Sequence, residues 1–400
     1  MQKKYPADVV TIAKILSDNG SRAYAVGGCI RDQLMGREPN DWDMTTDCSP
    51  EKMLEIFENA GVRTIPTGLK HGTVSVLLDG EIYECTTFRI DGNYTDSRHP
   101  DKVTFTEDIT EDLRRRDFTV NAMAGDPLSP TCEIIDVFGG REDIEKRIIR
   151  AVGDPETRFC EDALRILRAV RFATVLNFEI EDETKKAAVR LGDRLADISA
   201  ERKSVELQKM LLSPHADRGI SMLLEMKLAK YIHPDITSPR VNLTSLPERF
   251  STRLAALFDG VPDLSCMKLS GEVTKQAKLL SDDVLYSEIT SKFSKIDATA
   301  RLMLSKYGSI ASDAALLRSD AALAAKIGEE MTKARPIAIR DLAVDGNDLI
   351  SAGVEQRSLG KIMSSLLLSV IETPSLNKKE TLIQISLSQD ARKDIICSKK

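Results

Sequence analysis

The sequence predicts an α+β chain, with a small sheet-bearing head over residues 1–140 followed by a long helical body. Three observations carry that prediction. A hairpin signal stands out at Thr73–Leu78 and Glu81–Phe88, joined by Asp79-Gly80, a pair that supplies the positive φ angles of a two-residue turn. From about Arg141 the apolar spacing changes to a period of 3.6 and keeps it almost to the end. Finally, 400 residues exceed what one hydrophobic core usually serves, so more than one domain is expected.

Taken in order, Pro6 to Leu16 places Val9, Val10, Ile12, Ala13 and Leu16 at helical spacing, with Gly20 past the end. Ala23–Val26 reads as a short strand running into Gly27-Gly28, and Ile30–Met35 as a short helix stopped by Gly36. Ser49 is an N-cap and Pro50 follows at the first helical position, so Glu51–Ala60 is a helix. With Asp79-Gly80 as the turn, Leu77 faces Ile82, Ser75 faces Glu84 and Thr73 faces Thr86, while Val74, Val76, Leu78, Tyr83 and Cys85 share the other face. Helices follow at Ala163–Leu176, Thr184–Leu195, Ala200–Leu212 and Asp217–Leu228. Ile236–Pro247, rich in Ser, Thr and Pro, reads as a linker; a second helical run reaches Thr332, and Lys333–Pro336 introduces a final segment. No fixed-period repeat is present, which argues against a solenoid.

Composition narrows the function classes. A chain that is 42% hydrophobic and 30% charged is neither collagenous, low-complexity nor wholly disordered. Its longest apolar cluster, Leu366–Ile371, is interrupted by Ser369 and far short of the roughly 20 residues of a membrane span. The first six residues lead into no apolar stretch of a secretory signal. Seven cysteines, an odd number with no C-x-x-C spacing, read as free thiols of a reducing cytoplasm. The net charge of −6, from 62 acids against 56 bases, speaks on its face against a nucleic-acid partner. The bases are not evenly spread, however: Arg114–Arg116, Lys146–Arg150 and Arg165–Arg171 cluster them in the head and the first helices.

Gly27-Gly28 between a strand and a helix lets backbone N–H groups approach an anion closely, although Gly-Gly at a strand end is more often just a turn. Asp41-Trp42-Asp43 follows. On an extended segment both carboxylates share one face, as Mg²⁺ held against a triphosphate requires; a turn residue after Pro39-Asn40 is the simpler reading of Asp41. Trp42 then points into the core. Glu84 lies on the polar face of the hairpin, where a solvent-facing residue is also ordinary. Three carboxylates on a small sheet beside a Gly-Gly turn are the parts of a two-metal phosphoryl or nucleotidyl transfer.

At this point the chain resembles a known family. Gly27-Gly28-Cys29-Ile30-Arg31-Asp32, Asp41-Trp42-Asp43, Arg115-Arg116-Asp117-Phe118-Thr119-Val120-Asn121-Ala122-Met123, and the run from Glu161 through Asp162, Arg165 and Arg168 to Arg171-Phe172 look like successive motifs of class II tRNA nucleotidyltransferases. These are the CCA-adding enzymes with their A-adding, CC-adding and bacterial poly(A) polymerase relatives. Ile198–Arg202 with Glu206 resembles the last motif, and Leu342–Ile350 is similar to the end of bacterial members. The resemblance implies a polymerase-β-like nucleotidyltransferase head (1–140), then an all-α neck with the nucleotide-selecting motif (141–212), a body (213–332) and a tRNA-binding tail (333–400). It implies addition of CCA to tRNA from CTP and ATP in the cytoplasm, with no membrane partner; A addition alone, poly(A) synthesis and a non-catalytic RNA-binding protein are the competing readings.

The same resemblance implies that Asp41 and Asp43 hold Mg²⁺ with Glu84 as third carboxylate, and that Gly28, Arg31 and Arg116 hold the triphosphate. Asp162, Arg165 and Arg168 are spaced by three, which on a continuous helix spreads them over about 120° of one face. An ion-pair ladder is one use of that spacing. The other is base selection: Asp162 accepts from the exocyclic amine of cytosine or adenine while Arg165 donates to the neighbouring ring nitrogen, and uracil or guanine frustrates both. Arg168 is then a phosphate or base contact, and Arg171 a further nucleotide contact reaching in from the helix flank. Arg89–Pro100, polar and glycine-bearing, reads as a mobile loop of the kind that accompanies terminal A addition. Two departures stand out. The four histidines precede Gly, Pro, Ala and Pro, so no His-Asp phosphohydrolase pair exists, and Gly353–Gly360 lacks the family's Pro-Gly.

Overall fold

A computed structural model describes residues 5–92 and 103–397. Most of the loop expected at Arg89–Pro100 therefore lies outside the described residues. The chain divides into two compact units, Met1–Pro234 and Asp235–Lys400, with the break immediately before the Ser/Thr/Pro-rich stretch.

In the first unit, β1 (Ala23–Val26), β2 (Met44–Thr46), β3 (Arg63–Gly68), β4 (Thr73–Leu78), β5 (Glu81–Thr87), β8 (Ala124–Gly125) and β9 (Ile134–Ile135) form one sheet in the order β3-β4-β5-β2-β1-β8-β9. A separate ribbon pairs β6 (Arg89–Asp91) with β7 (Val103–Phe105). The hairpin register is the expected one, with Ser75 opposite Glu84 and Leu77 opposite Ile82, and Asp79 and Gly80 both take positive φ. Val74, Val76, Tyr83 and Cys85 are buried with Val9, Ile12, Leu16, Met53 and Phe57 of α1 (Ala7–Asp18) and α3 (Pro50–Asn59). Ser49 caps α3 as its sequence requires, its Oγ accepting from Lys52 N–H at 3.3 Å. Only β2 against β5 runs parallel among the sheet's pairs. That pairing sets the site described below.

Downstream lie α4 (Ile109–Arg114), α5 (Gly140–Lys146), α6 (Pro155–Glu161), α7 (Leu164–Leu176), α8 (Asp182–Arg190), α9 (Ala200–Leu211) and α10 (Ala216–Glu225). A short parallel ladder, Ile148–Ile149 against Glu179–Ile180, is inserted among them. One helical expectation is corrected. No continuous helix carries Asp162 with Arg165 and Arg168, because α6 ends at Glu161 and Asp162 is extended at φ −143°, ψ 103°. Its Oδ1 accepts from Leu164 N–H at 3.0 Å, so the carboxylate satisfies an orphan donor of the next helix instead of riding on its face.

The second unit is helical from Phe250–Ala255 to Lys379–Cys397. Buried Arg301 organises it, pairing with Glu330 at 3.0 Å and donating from Nε to the Ile371 carbonyl at 2.7 Å. Leu342, Val344, Leu349, Ile362, Leu366 and Val370 form a core of their own at its end. Among the described residues no helix is long and apolar enough to cross a membrane.

Candidate active site

The parallel pairing of β2 and β5 aligns Met44 with Cys85, so the residues one step earlier, Asp43 and Glu84, are neighbours. Asp41-Trp42-Asp43 is not itself a strand; ladder pairing of β2 begins at Met44. The segment is nonetheless held against the sheet, since Val26 N–H donates to the Asp43 carbonyl at 2.9 Å. Trp42 packs edge-on against Tyr5, ring centroids 5.7 Å apart, and touches the head core. Asp41, Asp43 and Glu84 are all exposed.

Loss of water around Asp43, then the Asp41 and Glu84 carboxylates, raise its pKa to about 6, while Arg116 acts in the opposite direction. Among the described residues the side-chain carboxylates of these three acids make no hydrogen bond and no close ion pair, nor do three His, Cys, Asp or Glu side chains form a closed metal cluster. The trio is an open edge of hard oxygen donors coupled by mutual repulsion. Such donors suit a divalent cation of the Mg²⁺ or Ca²⁺ type far better than a soft metal.

Across the Gly-Gly turn stand the arginines. Gly27 has φ 84°, and a Cβ there would lie 3.0 Å from Arg116 Nη1. Gly28 has no such constraint, its nearest neighbour being Arg31 Nη2 at 3.6 Å. Gly27 is therefore the residue for which the turn needs glycine. Arg116 and Arg115 converge on Asp112, which is fully buried: Arg115 Nη2 is 2.8 Å from Oδ1 and Arg116 Nη2 is 3.3 Å from Oδ2. Burial disfavours the Asp112 anion, but the two arginines outweigh it and lower its pKa. Arg31 is engaged as well, donating from Nε and Nη2 to Asp32 at 2.9 Å and from Nη1 to Asn121 Oδ1 at 2.7 Å.

On α7 the arginines split by role. Arg165 is buried, donating from Nη1 to Glu161 at 2.6 Å and from Nη2 to the Arg115 carbonyl at 3.0 Å. Asp162 Oδ2 accepts from Arg202 Nη2 at 2.7 Å. Asp162 and Arg165 thus lie on either side of the helix break, each with protein partners. Arg168 sends Nε and Nη2 to Asp117 Oδ2 at 2.8 and 2.6 Å, and Arg171 Nε lies 2.6 Å from Glu206 Oε2. Burial disfavours the Asp117 anion too, yet Arg168, Asn121 and Arg165 bring its pKa down to about 2. Burial also works against charge on Arg168, but Asp117 and Glu206 prevail and raise its pKa; for Arg171 burial wins and the pKa is lowered.

Asp32, Asp112, Asn121 and Arg202 have no role assignable from the sequence alone. Asn121 and Arg202 find their partners, Arg31 and Asp162, 90 and 40 residues away, separations that carry no spacing signal, whereas Asp32 and Asp112 pair locally, with Arg31 and with Arg115 and Arg116. Arg114–Arg116 is not one uniform basic run. Arg114 alone is exposed, beside Glu111, and Lys146 and Arg150 likewise face Glu142 and Asp143.

Residues 23–150 match the family described as "Poly A polymerase head domain", and residues 177–238 match "Probable RNA and SrmB- binding site of polymerase A". A CCA-adding enzyme of Levilactobacillus brevis is 36% identical over 392 residues, covering 93% of this chain and 95% of its own. Its counterpart in Enterococcus faecalis is 34% identical, covering 96% of each. Against the enzymes of Lactobacillus helveticus and Leuconostoc mesenteroides the alignment is stronger, 44% and 45%, but spans only 59% and 54% of those proteins. The crystal structure of the Bacillus stearothermophilus CCA-adding enzyme in complex with CTP superposes with a TM-score of 0.79 at 31% identity, covering 97% of this chain and 98% of that one.

Proposed function

The chain belongs to the CCA-adding enzyme family, and we propose that it adds the 3′-terminal CCA to tRNA from CTP and ATP, without a nucleic-acid template, releasing pyrophosphate. The observation that carries this reading is the Asp41, Asp43 and Glu84 edge, unpaired among the described residues and facing Arg116 across the Gly27 turn. Asp41 and Asp43 hold the divalent cation, which we assign as Mg²⁺, with Glu84 beside them. When bound, that ion supplies positive charge where the RNA 3′-hydroxyl attacks the α-phosphate and where pyrophosphate leaves.

The chain's own groups do the rest. The Gly27-Gly28 turn admits the triphosphate close to the backbone, and Arg31 and Arg116 steady its oxygens by exchanging a share of their hydrogen bonds to Asp32 and Asp112. Asp162 accepts from the exocyclic amine shared by cytosine and adenine, and Arg165 donates to the adjoining ring nitrogen. Because Arg165 is already bonded to a carbonyl and to Glu161, it presents a fixed donor direction, which favours selection over tolerance. Arg168 and Arg171 contact the nucleotide from the same helix. We assign nucleotide selection to the neck at 141–212, a helical body to 213–332 and tRNA binding to the tail at 333–400. None of the six cysteines with described side chains forms a disulfide, which favours a cytoplasmic location.

Purified protein incubated with tRNAs lacking one, two or three terminal nucleotides, with CTP and ATP supplied separately and together, tests the reading. Two C additions followed by one A addition are expected. Incorporation of ATP with no use of CTP identifies an A-adding enzyme instead, and long A tails identify a poly(A) polymerase. No incorporation at all returns the protein to the non-catalytic class.

A further inference from the structure

The α7 arginines share a feature that neither their charges nor their carboxylate partners explain. Three guanidinium groups gather on one aromatic ring, that of Phe172: Arg171 Cζ at 3.7 Å from its centroid, Arg168 at 5.3 Å and Arg31 at 5.5 Å. Arg168 reaches it by ordinary helical spacing, four residues earlier. Arg171 is adjacent in sequence, a separation at which helical side chains do not normally face each other, so its guanidinium is folded back over the ring. Arg31 comes from the helix after the Gly-Gly turn. The ring is held in turn by Phe118, edge-on at 5.7 Å and 75°, and is 7% exposed.

We infer that Phe172 is a positioning residue, an aromatic platform that fixes the directions of Arg31, Arg168 and Arg171 toward the triphosphate. The inference rests on the reading of those arginines as nucleotide contacts. Its physical basis is the sign of the ring. A phenyl face attracts cations through its quadrupole and carries no net charge. Each arginine already has a carboxylate beside it: Asp32 for Arg31, Asp117 and more distantly Glu206 for Arg168, and Glu206 for Arg171. A further acid would hold the three cations together equally well, but it would repel an incoming polyphosphate. An aromatic ring concentrates the positive groups and leaves their charge available to the ligand.

The test replaces Phe172 by 4-fluoro-, 3,5-difluoro- and 3,4,5-trifluorophenylalanine, which keep the shape of the ring and progressively drain its negative face. Equilibrium affinities for CTP and ATP are measured on the full chain, with thermal unfolding alongside. Affinity for both nucleotides should fall stepwise, reaching about tenfold at the trifluoro ring, equivalent to about 1.4 kcal/mol. Phe172→Tyr should bind within about twofold of the parent, while Phe172→Leu should raise KM for both nucleotides more than it lowers kcat. A flat fluorination series overturns the inference, as does a Phe172→Leu protein that is folded and has unchanged KM. If the parent protein binds neither CTP nor ATP, the functional reading fails, and with it the premise of this one; a parent that binds both while the series stays flat condemns the platform alone.

Discussion

Two groups of three carboxylates stand close together in the first unit, and they behave in opposite ways. Asp41, Asp43 and Glu84 have no cation within ion-pair distance among the described residues, and loss of water together with their mutual repulsion lifts Asp43 to about 6. Asp112, Asp117 and Glu206 are buried, and arginines hold each of them; Asp117 falls to about 2. The same side chain is thus pushed to either side of its ordinary value near 3.9 by its neighbours. Stability alone gives no reason to keep the first arrangement, since any one of those acids could be neutral at a gain. Unfavourable electrostatics retained on a surface support the proposal of a cation site there. The second arrangement fits a frame for the arginines proposed to hold the nucleotide.

Substitutions should separate the two groups by what they damage. The largest effect is expected at Asp41→Ala: nucleotide incorporation falls by about 10²–10³-fold, the scale of removing one group that stabilises transition-state charge, with the melting temperature unchanged or higher. Radiolabelled CTP incorporation and calorimetry on one preparation check both halves. Asp117→Ala should do the reverse first, costing about 2–3 kcal/mol in denaturant unfolding, because Arg168 loses its hydrogen-bonded anion and keeps only the more distant Glu206.

A smaller effect comes from pH. Asp117 folded titrates at about 2, below its unfolded value, so its stabilisation is complete above about pH 4 and disappears as pH falls through 2. The linkage is worth about 2 kcal/mol. Denaturant unfolding of the parent and of Asp117→Asn between pH 2 and 5 should show the variant losing less stability on acidification; parallel curves would remove Asp117 from the account. The smallest effect is at Arg114→Ala, an exposed pair with Glu111, where unfolding should change by less than about 0.5 kcal/mol.

Features set by local spacing were legible in the sequence. Asp79-Gly80 determined the hairpin register residue by residue, and with it the position of Glu84. Ser49-Pro50 fixed the start of α3. Strands of two or three residues such as β2, β8 and β9 show no alternation to detect, so the sheet is wider than the hairpin alone implied. The break at Asp162 was hidden because Asp162, Arg165 and Arg168 fit a helical repeat well; only the capping of Leu164 and the pull of Arg202 take Asp162 off the helix. The net charge was also a poor guide, though for a different reason than clustering alone. Most basic side chains in the clusters are already paired with acids, so the attraction for phosphate depends on which of those pairs can open.

If the unpaired acidic edge is the reacting centre and the paired lattice its frame, Asp43→Asn separates the two: incorporation of CTP and ATP into tRNA lacking CCA and thermal unfolding are measured on the same sample. A folded protein, melting at or above the parent temperature, that adds no nucleotide is expected. A folded Asp43→Asn protein that completes CCA at the parent rate places the reacting centre elsewhere.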